Sequence, residues 1–595
     1  MSVTKSAPTA GLDAAALQNS KPILDPDAGT VASDPTAALT IEERQQLAVR
    51  VLADALLLGI VGDALLRVSS WGANFTLWSL GIVAAVLTLA RRRHETLPAS
   101  AWIAAPAAVL GLMFIWRDSA ELAVYNALAL AATLALLSMS LTRGPAFSVV
   151  GSRVRDLVEG AVRLGIGTVF GMLPLVFSDV SFRDVANSGT KTRIIAGVRA
   201  ALIAIPLLLL FGGLFASADP VFARIAADVF QVDAELIASH LALFGVISWF
   251  VGGFLRATII GPIRGLPTLR VPEGALGLTE VAVALGSLVL LFAAFVAVQL
   301  RYFFGGDALV QVTAGLSYAD YARRGFFELV AVSALVLPVL LSANVLLRRE
   351  NRAAEQVYRS LSFTLLGLLG IIMYSAVARM RLYQGMYGYS IDRLYATVFM
   401  AWLAVVFAWF AMTVLRGREK RFLAGVVASA WGFLAAVNIG NPAAFVARAN
   451  IARAAQGKEL DVRYLAGLGA DAAPALTRYL AGMPLTPPFA WPRAEITATD
   501  TTAAARAQQE RSWMPYVTSR DDYTARCYAA RALLSKWGPS AEKDWRSWTF
   551  GRAAAQRVVA SNSVVLTRLA HLAPSGQEIR PCPTPEGAIA PSDHR

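Results

Sequence analysis

The sequence predicts an all-α, polytopic membrane protein with about eleven transmembrane helices and a small helical extramembrane C-terminal domain. Three observations carry that prediction. Hydrophobic residues make up 56% of the 595 positions and charged residues only 16%, against about 25% charged in an average soluble domain. The apolar residues gather in runs of about 20, the length at which a helix crosses the hydrocarbon core of a bilayer. The basic residues fall mostly in alternate connections between those runs, the arrangement that orients helices across a membrane.

Taken in order, residues 1–45 mix Ala, Ser, Thr, Pro and Asp without periodicity and read as a disordered cytoplasmic tail. Lys5 is followed by no apolar core of the kind a secretory signal needs. Within the transmembrane part, 46–441, spans begin near Val51, Gly72, Ala101, Leu122, Ile194, Ile237, Leu276, Phe326, Leu361, Ala396 and Phe422. Arg91–Arg93, Arg153 and Arg155, Lys191 and Arg193, Arg256 and Arg264, Arg348 and Arg349, and Arg416 to Arg421 lie in the connections assigned to the cytoplasm. They outweigh the opposite set by about two to one, so the N-terminus is expected inside and the C-terminus outside. The segment 157–178 is apolar enough to cross but carries Glu159 and Arg163 between two basic flanks. It reads as an interfacial or re-entrant helix, with a twelfth span as the alternative. Pro106, Pro206 and Pro338 fall within spans and are expected to kink them.

After Asn441-Pro442 the chain turns polar, with helical patterning over 445–455, 471–480, 501–511, 521–537 and 544–560. Residues 442–572 are read as an extracytoplasmic helical domain, its buried stripes including Val462, Leu465, Leu476, Tyr528, Leu533, Trp537, Trp545 and Trp548. A flexible tail, 573–595, follows. Cys527 and Cys582 are the only cysteines and form a candidate disulfide on the oxidising side of the membrane. Such a bridge would close a loop of about 55 residues, worth about 4 kcal/mol in the chain-entropy picture. Cys582 between two prolines argues the other way, for two free thiols.

Chemical signatures are sparse. GxxxxGK[ST], HExxH, CxxC and GxSxG are absent and the four histidines are scattered, so neither a cofactor nor a metal site is indicated, and no enzyme active site is recognisable. The net charge of +13 is spread over loops between spans, which points to the lipid bilayer as partner rather than to nucleic acid. Intramembrane acids are costly and can mark an ion path. Asp54 is the candidate, but Arg50 stands four residues before it, Arg67 four after Asp63, and Arg117 four before Glu121, so local helical pairing is the plainer expectation. A second candidate collects on the predicted outer face, where Arg301, Tyr302, Tyr321, Arg323, Arg324, Arg379, Arg381, Tyr383, Tyr387 and Arg393 could bind an anion or an anionic lipid headgroup. An ordinary interfacial belt of Tyr and Arg explains the same residues.

Four stretches, Gly62-Asp-Ala-Leu-Leu with Gly72-Ala-Asn-Phe-Thr-Leu, Leu316 to Leu329, Arg381 to Ala404, and Asn441-Pro with Arg448 to Arg453 and Leu460 to Leu465, resemble an uncharacterised bacterial multi-pass membrane family, domain of unknown function 4173. That resemblance implies a bacterial cytoplasmic (inner) membrane and cell envelope, and no chemistry. Three functions remain open: an envelope sensory or assembly component using its C-terminal domain to meet a protein partner, a transporter or flippase for an anionic or lipid-linked substrate, and a membrane transferase acting on a lipid-linked substrate.

Overall fold

The computed structural model describes residues 40–570 except 69, 95–98, 143–150, 181–199, 201–203, 205–206, 209–210, 216, 223–233, 264–273, 305–325, 350–351, 484–522 and 542–543. Among the described residues the chain is helical, with one isolated bridge between Leu276 and Leu347 and no strand. Nine helices in this set are long and apolar enough to cross a membrane, or ten if one bent pair counts as a span. The protein is therefore an all-α polytopic membrane protein. Residues 1–39 of the expected disordered tail, most of the fifth span with Pro206, residues 501–511 and the tail after 572 lie outside the described residues, whereas 41–45, expected to be disordered, form the first turn of a capped helix.

The first bundle contains α1 (Ile41–Leu66), α2 (Ala73–His94), α3 (Ala104–Trp116) and α4 (Ala120–Thr142). It is completed by α5 (Val154–Phe170), its short continuation through Asp179, and α6 (Ala234–Ile259). Thr40 starts α1 through a reciprocal capping box: the Glu43 amide donates to Thr40 Oγ1 at 3.2 Å and the Thr40 amide to Glu43 Oε2 at 2.9 Å. Helix α1 carries Arg50, Asp54 and Asp63, and it is not one of the nine strongly apolar helices. It nevertheless packs extensively along α6 and buries Val51, Ala55, Leu58 and Gly59. Pro106 falls in the first turn of α3, directly after the 3-10 turn Ala99–Ile103, so it stands where the continuous element 99–116 changes pitch.

The second bundle is built from α7 (Leu278–Phe304), α8 (Phe326–Leu346, with Pro338 inside it), α9 (Arg352–Tyr387), α10 (Ile391–Thr413) and α11 (Phe422–Gly440). Leu285, Leu340, Leu365, Ala376, Val406 and Phe410 are at its centre. A third apolar cluster joins Ile391 to α12 (Pro442–Ala454), α13 (Val462–Gly467), α14 (Ala473–Ala481), helix 523–537, α15 (Phe550–Ser561) and α16 (Ser563–Leu569). Tyr528, Trp545 and Trp548 are not in that core: they are exposed, at 41%, 62% and 38%. The segment 544–549 lies against the ends of α1 and α2, where Arg546 Nη1 donates to Ala64 O and the Ala73 amide to Trp548 O, both at 3.0 Å. Its tryptophans thus stand beside the ends of spans, where an amphipathic ring is stable half in water.

Contacts fix which helix ends share a face. At one end, Arg44 near the start of α1 and Arg256 in the last turn of α6 both donate to Asp179, at 2.9 and 2.6 Å, and Arg93 at the end of α2 donates to Ile259 O. Arg153 before α5 pairs with Glu419, between α10 and α11, at 3.2 Å on the same face. The bent element 156–179, broken by 53°, therefore begins and ends at one face of the bundle. It leans on α6 through glycines: a Cβ on Gly253 would lie 2.1 Å from Thr168 O and 3.0 Å from Gly167 O. Only glycine permits such an approach of two helix backbones. Gly253→Ala should push α5 off α6 and lower the thermal stability of the purified protein by about 1–3 kcal/mol, the usual cost of overpacking. Unchanged melting in detergent would show that this crossing is looser than the backbone distances state.

Candidate functional site

The opposite face of the bundle carries the most extensive polar assembly among the described residues. Four connections meet there: the α3–α4 turn with Arg117, Asp118 and Ser119, the α11–α12 turn at Asn441, and the loops 469–471 and 544–552 of the polar region. Asn441 takes the left-handed conformation (φ 52°), caps α12 by accepting the Ala444 amide at 3.0 Å, and is followed by Pro442 at the first helical position. A span and a polar helix are thereby joined by a single turn.

Asp118 is the hub. Its Oδ1 accepts Arg552 Nη2 at 2.6 Å and Nε at 2.9 Å, and its Oδ2 accepts the Ala470 amide at 3.3 Å. Its own amide donates to Asp471 Oδ2 at 2.9 Å. Arg117 does not pair with Glu121 as its spacing predicts: Nε donates to Asn438 O at 2.7 Å and Nη2 to Ile439 O at 3.1 Å, while Nη1 is 3.8 Å from Asp471 Oδ1. A guanidinium at the end of α11 satisfies carbonyls that have no helical partner, and this favours it over an exposed carboxylate one turn away. Beneath it, Asn126 and Asn438 exchange amide hydrogen bonds at 3.2 and 3.0 Å between α4 and α11. Gly551 is required at its position, since a Cβ would lie 2.5 Å from Asp471 Oδ1.

A cavity of about 450 Å³ opens beside this hub, lined by Arg117, Arg448, Arg478, Arg557, Asp471 and Phe550 among others. Arg448 and Arg478 are exposed and form no hydrogen bond or ion pair with any described residue. The one carboxylate in the lining, Asp471, is 3% exposed at its side chain. Burial holds its carboxyl above the usual 3.8, and the neighbouring Asp118 charge acts in the same direction; the Asp118 amide, Arg117 and Asn441 oppose both.

The residues singled out from the sequence are distributed differently. Arg393 lies 4.3 Å over the Tyr383 ring and donates to Gly388 O at 3.0 Å, so it braces the α9–α10 turn. Tyr383 and Tyr387 pack at 4.8 Å between centroids, Arg381 is exposed and Arg379 is half-buried with a partner of its own. That turn is also pinned to α12, where Asn450 bonds both the amide and the carbonyl of Tyr389 at 2.8 Å. Arg301 and Tyr302 belong to α7, and Tyr321, Arg323 and Arg324 lie outside the described residues. Asp54 is half-buried in α1 with no partner among the described residues; the expected pair with Arg50, which is exposed, does not form. Asp63 does accept Arg67 Nε at 3.0 Å, and it also meets His240 Nδ1 of α6 at 2.6 Å. Cys527 is buried and disulfide-bonded, and Cys582 lies outside the described residues. The sequence reading missed Asp118, Asp471, Arg552 and the cavity arginines; the available signal was Arg117-Asp118 directly after an apolar run, facing a basic, Ala-rich region.

A polytopic helical bundle with a polar helical region locked to one face defines an integral membrane protein. Residues 104–479 match the family described as Domain of unknown function (DUF4153), and the chain belongs to that family. The family number differs from the 4173 that the sequence motifs pointed to. No curated protein and no solved structure matches the chain.

The raised pKa of Asp471 carries a sign. A carboxyl held above its unfolded value contributes most while protonated, so its contribution is complete below 3.8 and is lost as pH rises through the raised value. Asp471→Asn, which imitates the protonated form, should melt like wild type at the acid end of that window and a few degrees higher above it. Parallel melting curves across pH would contradict the assignment.

Proposed function

We propose that the protein is a sensory or assembly component of the bacterial envelope, sited in the cytoplasmic membrane with its N-terminus inside and its C-terminal helices outside. The observation that carries the reading is the lock at the span ends. Asp118, Asp471, Arg552 and Arg546 tie loops of the polar region to the turns of α1–α2, α3–α4 and α11–α12. A domain held by charge-assisted hydrogen bonds to several span ends transmits a displacement to the bundle, where a tethered domain would not. The orientation is supported by the basic face, on which Arg44, Arg93, Arg153 and Arg256 collect opposite the lock. A disulfide-bonded Cys527 fits the oxidising side, with Cys582 as the only other cysteine in the chain.

Four measurements test this. A reporter active only in the cytoplasm should work when fused after Arg93 or Arg421 and fail after Asn441, and Cys527 should take up a thiol reagent only after reduction; reporter activity after Asn441 overturns the outer placement, and labelling without reductant rules out the bridge and removes one support for that placement. Arg552→Ala leaves the Asp118 carboxylate without its guanidinium and should weaken the lock by on the order of 2 kcal/mol. The polar region should then become protease-sensitive, and the variant should fail to complement a deletion strain under envelope stress. Full complementation by a protein whose lock is demonstrably open would reject the coupling role.

A further inference from the structure

From the cavity beside the lock we infer that the protein binds a phosphate-bearing anion between Arg117, Arg448, Arg478 and Arg557. This deepens the envelope reading by naming the chemistry that its outer face would recognise, and it rests on that reading for the side of the membrane involved. Four guanidinium groups from α12, α14, α15 and the α3–α4 turn line one cavity. Like charges gather in this way at a cost unless an anion shares them. The single acid of the lining offsets Arg117 alone, 3.8 Å from Asp471 Oδ1; Asp471 is buried, its oxygens also accept the Asp118 amide and Asn441 Nδ2, and no other arginine of the lining pairs with it. Arg117 is turned toward the end of α11, and Arg557 toward a carbonyl of its own helix at 3.4 Å. Arg448 and Arg478 spend no donors on described residues, so their planar forks are available for bidentate contact with phosphate oxygens. A volume of about 450 Å³ exceeds what a lone halide needs and falls in the range that holds a small organic ligand.

The depth of the site points the same way. Arg117 follows the last residue of α3 and Asn441 the last of α11, so the cavity is level with the ends of two spans, and Phe550, 58% exposed, forms part of its wall. At that level lipid phosphates and soluble phosphate compounds both have access, and the shared chemistry is a phosphate with at least one apolar or sugar neighbour against the ring.

The test uses the full-length protein in nanodiscs of purely zwitterionic lipid and in discs that also contain phosphatidylglycerol. Inorganic phosphate is the soluble probe, read by calorimetry, and phosphatidylglycerol the lipid probe, read by native mass spectrometry. Arg448→Ala combined with Arg478→Ala should weaken one probe by roughly tenfold or more, the scale for charge-assisted hydrogen bonds. Melting without either probe should not fall, since neither side chain supports a described residue and two like charges are removed. Arg448→Lys with Arg478→Lys, which keeps the charge and loses the fork, should fall between. Loss confined to phosphatidylglycerol names a headgroup as the source, and loss confined to inorganic phosphate names a soluble compound. Equal binding of both probes by wild type and the alanine variant overturns the site. The two readings fail separately: an intact dependence on Arg552 in cells with no phosphate effect rejects this inference alone, whereas phosphate binding without that dependence rejects the envelope role.

Discussion

One carboxylate at the end of a span determines how the two parts of this protein meet. Asp118 accepts Arg552 across 434 positions of sequence and the Ala470 amide across 352, and presents its own amide to Asp471. Helix ends leave backbone groups without partners, and near the membrane water does not reliably supply them. The lock meets that need from both directions. Arg117 covers the last carbonyls of α11, Ser119 Oγ accepts the Leu122 amide at the start of α4, and the Trp548 carbonyl takes the Ala73 amide of α2. With those groups satisfied, the polar region has one seating on the bundle, and removing a partner would strand a charge rather than relax a contact.

The other face uses the same physics for a different end. Asp179 and Arg256 are each 3% exposed at their side chains and pair at 2.6 Å, with Arg44 as a second donor. A buried acid between two guanidinium groups adds little net stability, but it tolerates few alternative partners and so fixes where the bent element returns. The close glycine contacts of α5 on α6 complete that anchoring, since with no side chains between the helices the backbones meet directly. A bent element that returns to its own face and a polar region clamped on the opposite one give the bundle two distinct ends.

The parts of the structure legible in the sequence were those set by local pattern. Length and composition of apolar runs placed α2, α3, α4, α6 to α8, α10 and α11 within about five residues, because spanning a hydrocarbon core demands about 20 apolar positions wherever the chain supplies them, whereas α9 starts at Arg352, well before the expected Leu361, since a polar stretch extends it. Asn441-Pro442 marked the turn into the polar helices, since a left-handed Asn that caps and a Pro at the first helical position are both local requirements. The i, i+4 pair of Asp63 with Arg67 was also legible. The pairs of Arg50 with Asp54 and Arg117 with Glu121 had the same spacing and did not form, because tertiary partners decide which of several available contacts a long side chain makes.

The sequence by itself determined that the chain is a helical membrane protein, where its spans fall and where it turns polar, because those follow from transfer of short segments between water and lipid. Only the tertiary structure decided which charges meet. Arg117, Arg448, Arg478 and Arg557 lie up to several hundred positions apart in a chain with 54 basic residues, and no local periodicity distinguishes them from arginines that merely face water. Trp545 follows the same rule, since docking of its segment against the ends of α1 and α2 leaves it exposed where its helical patterning predicted burial. Convergence of the arginines depends on the seating of the polar helices, and that seating on Asp118, Asp471 and Arg552 finding one another across the fold.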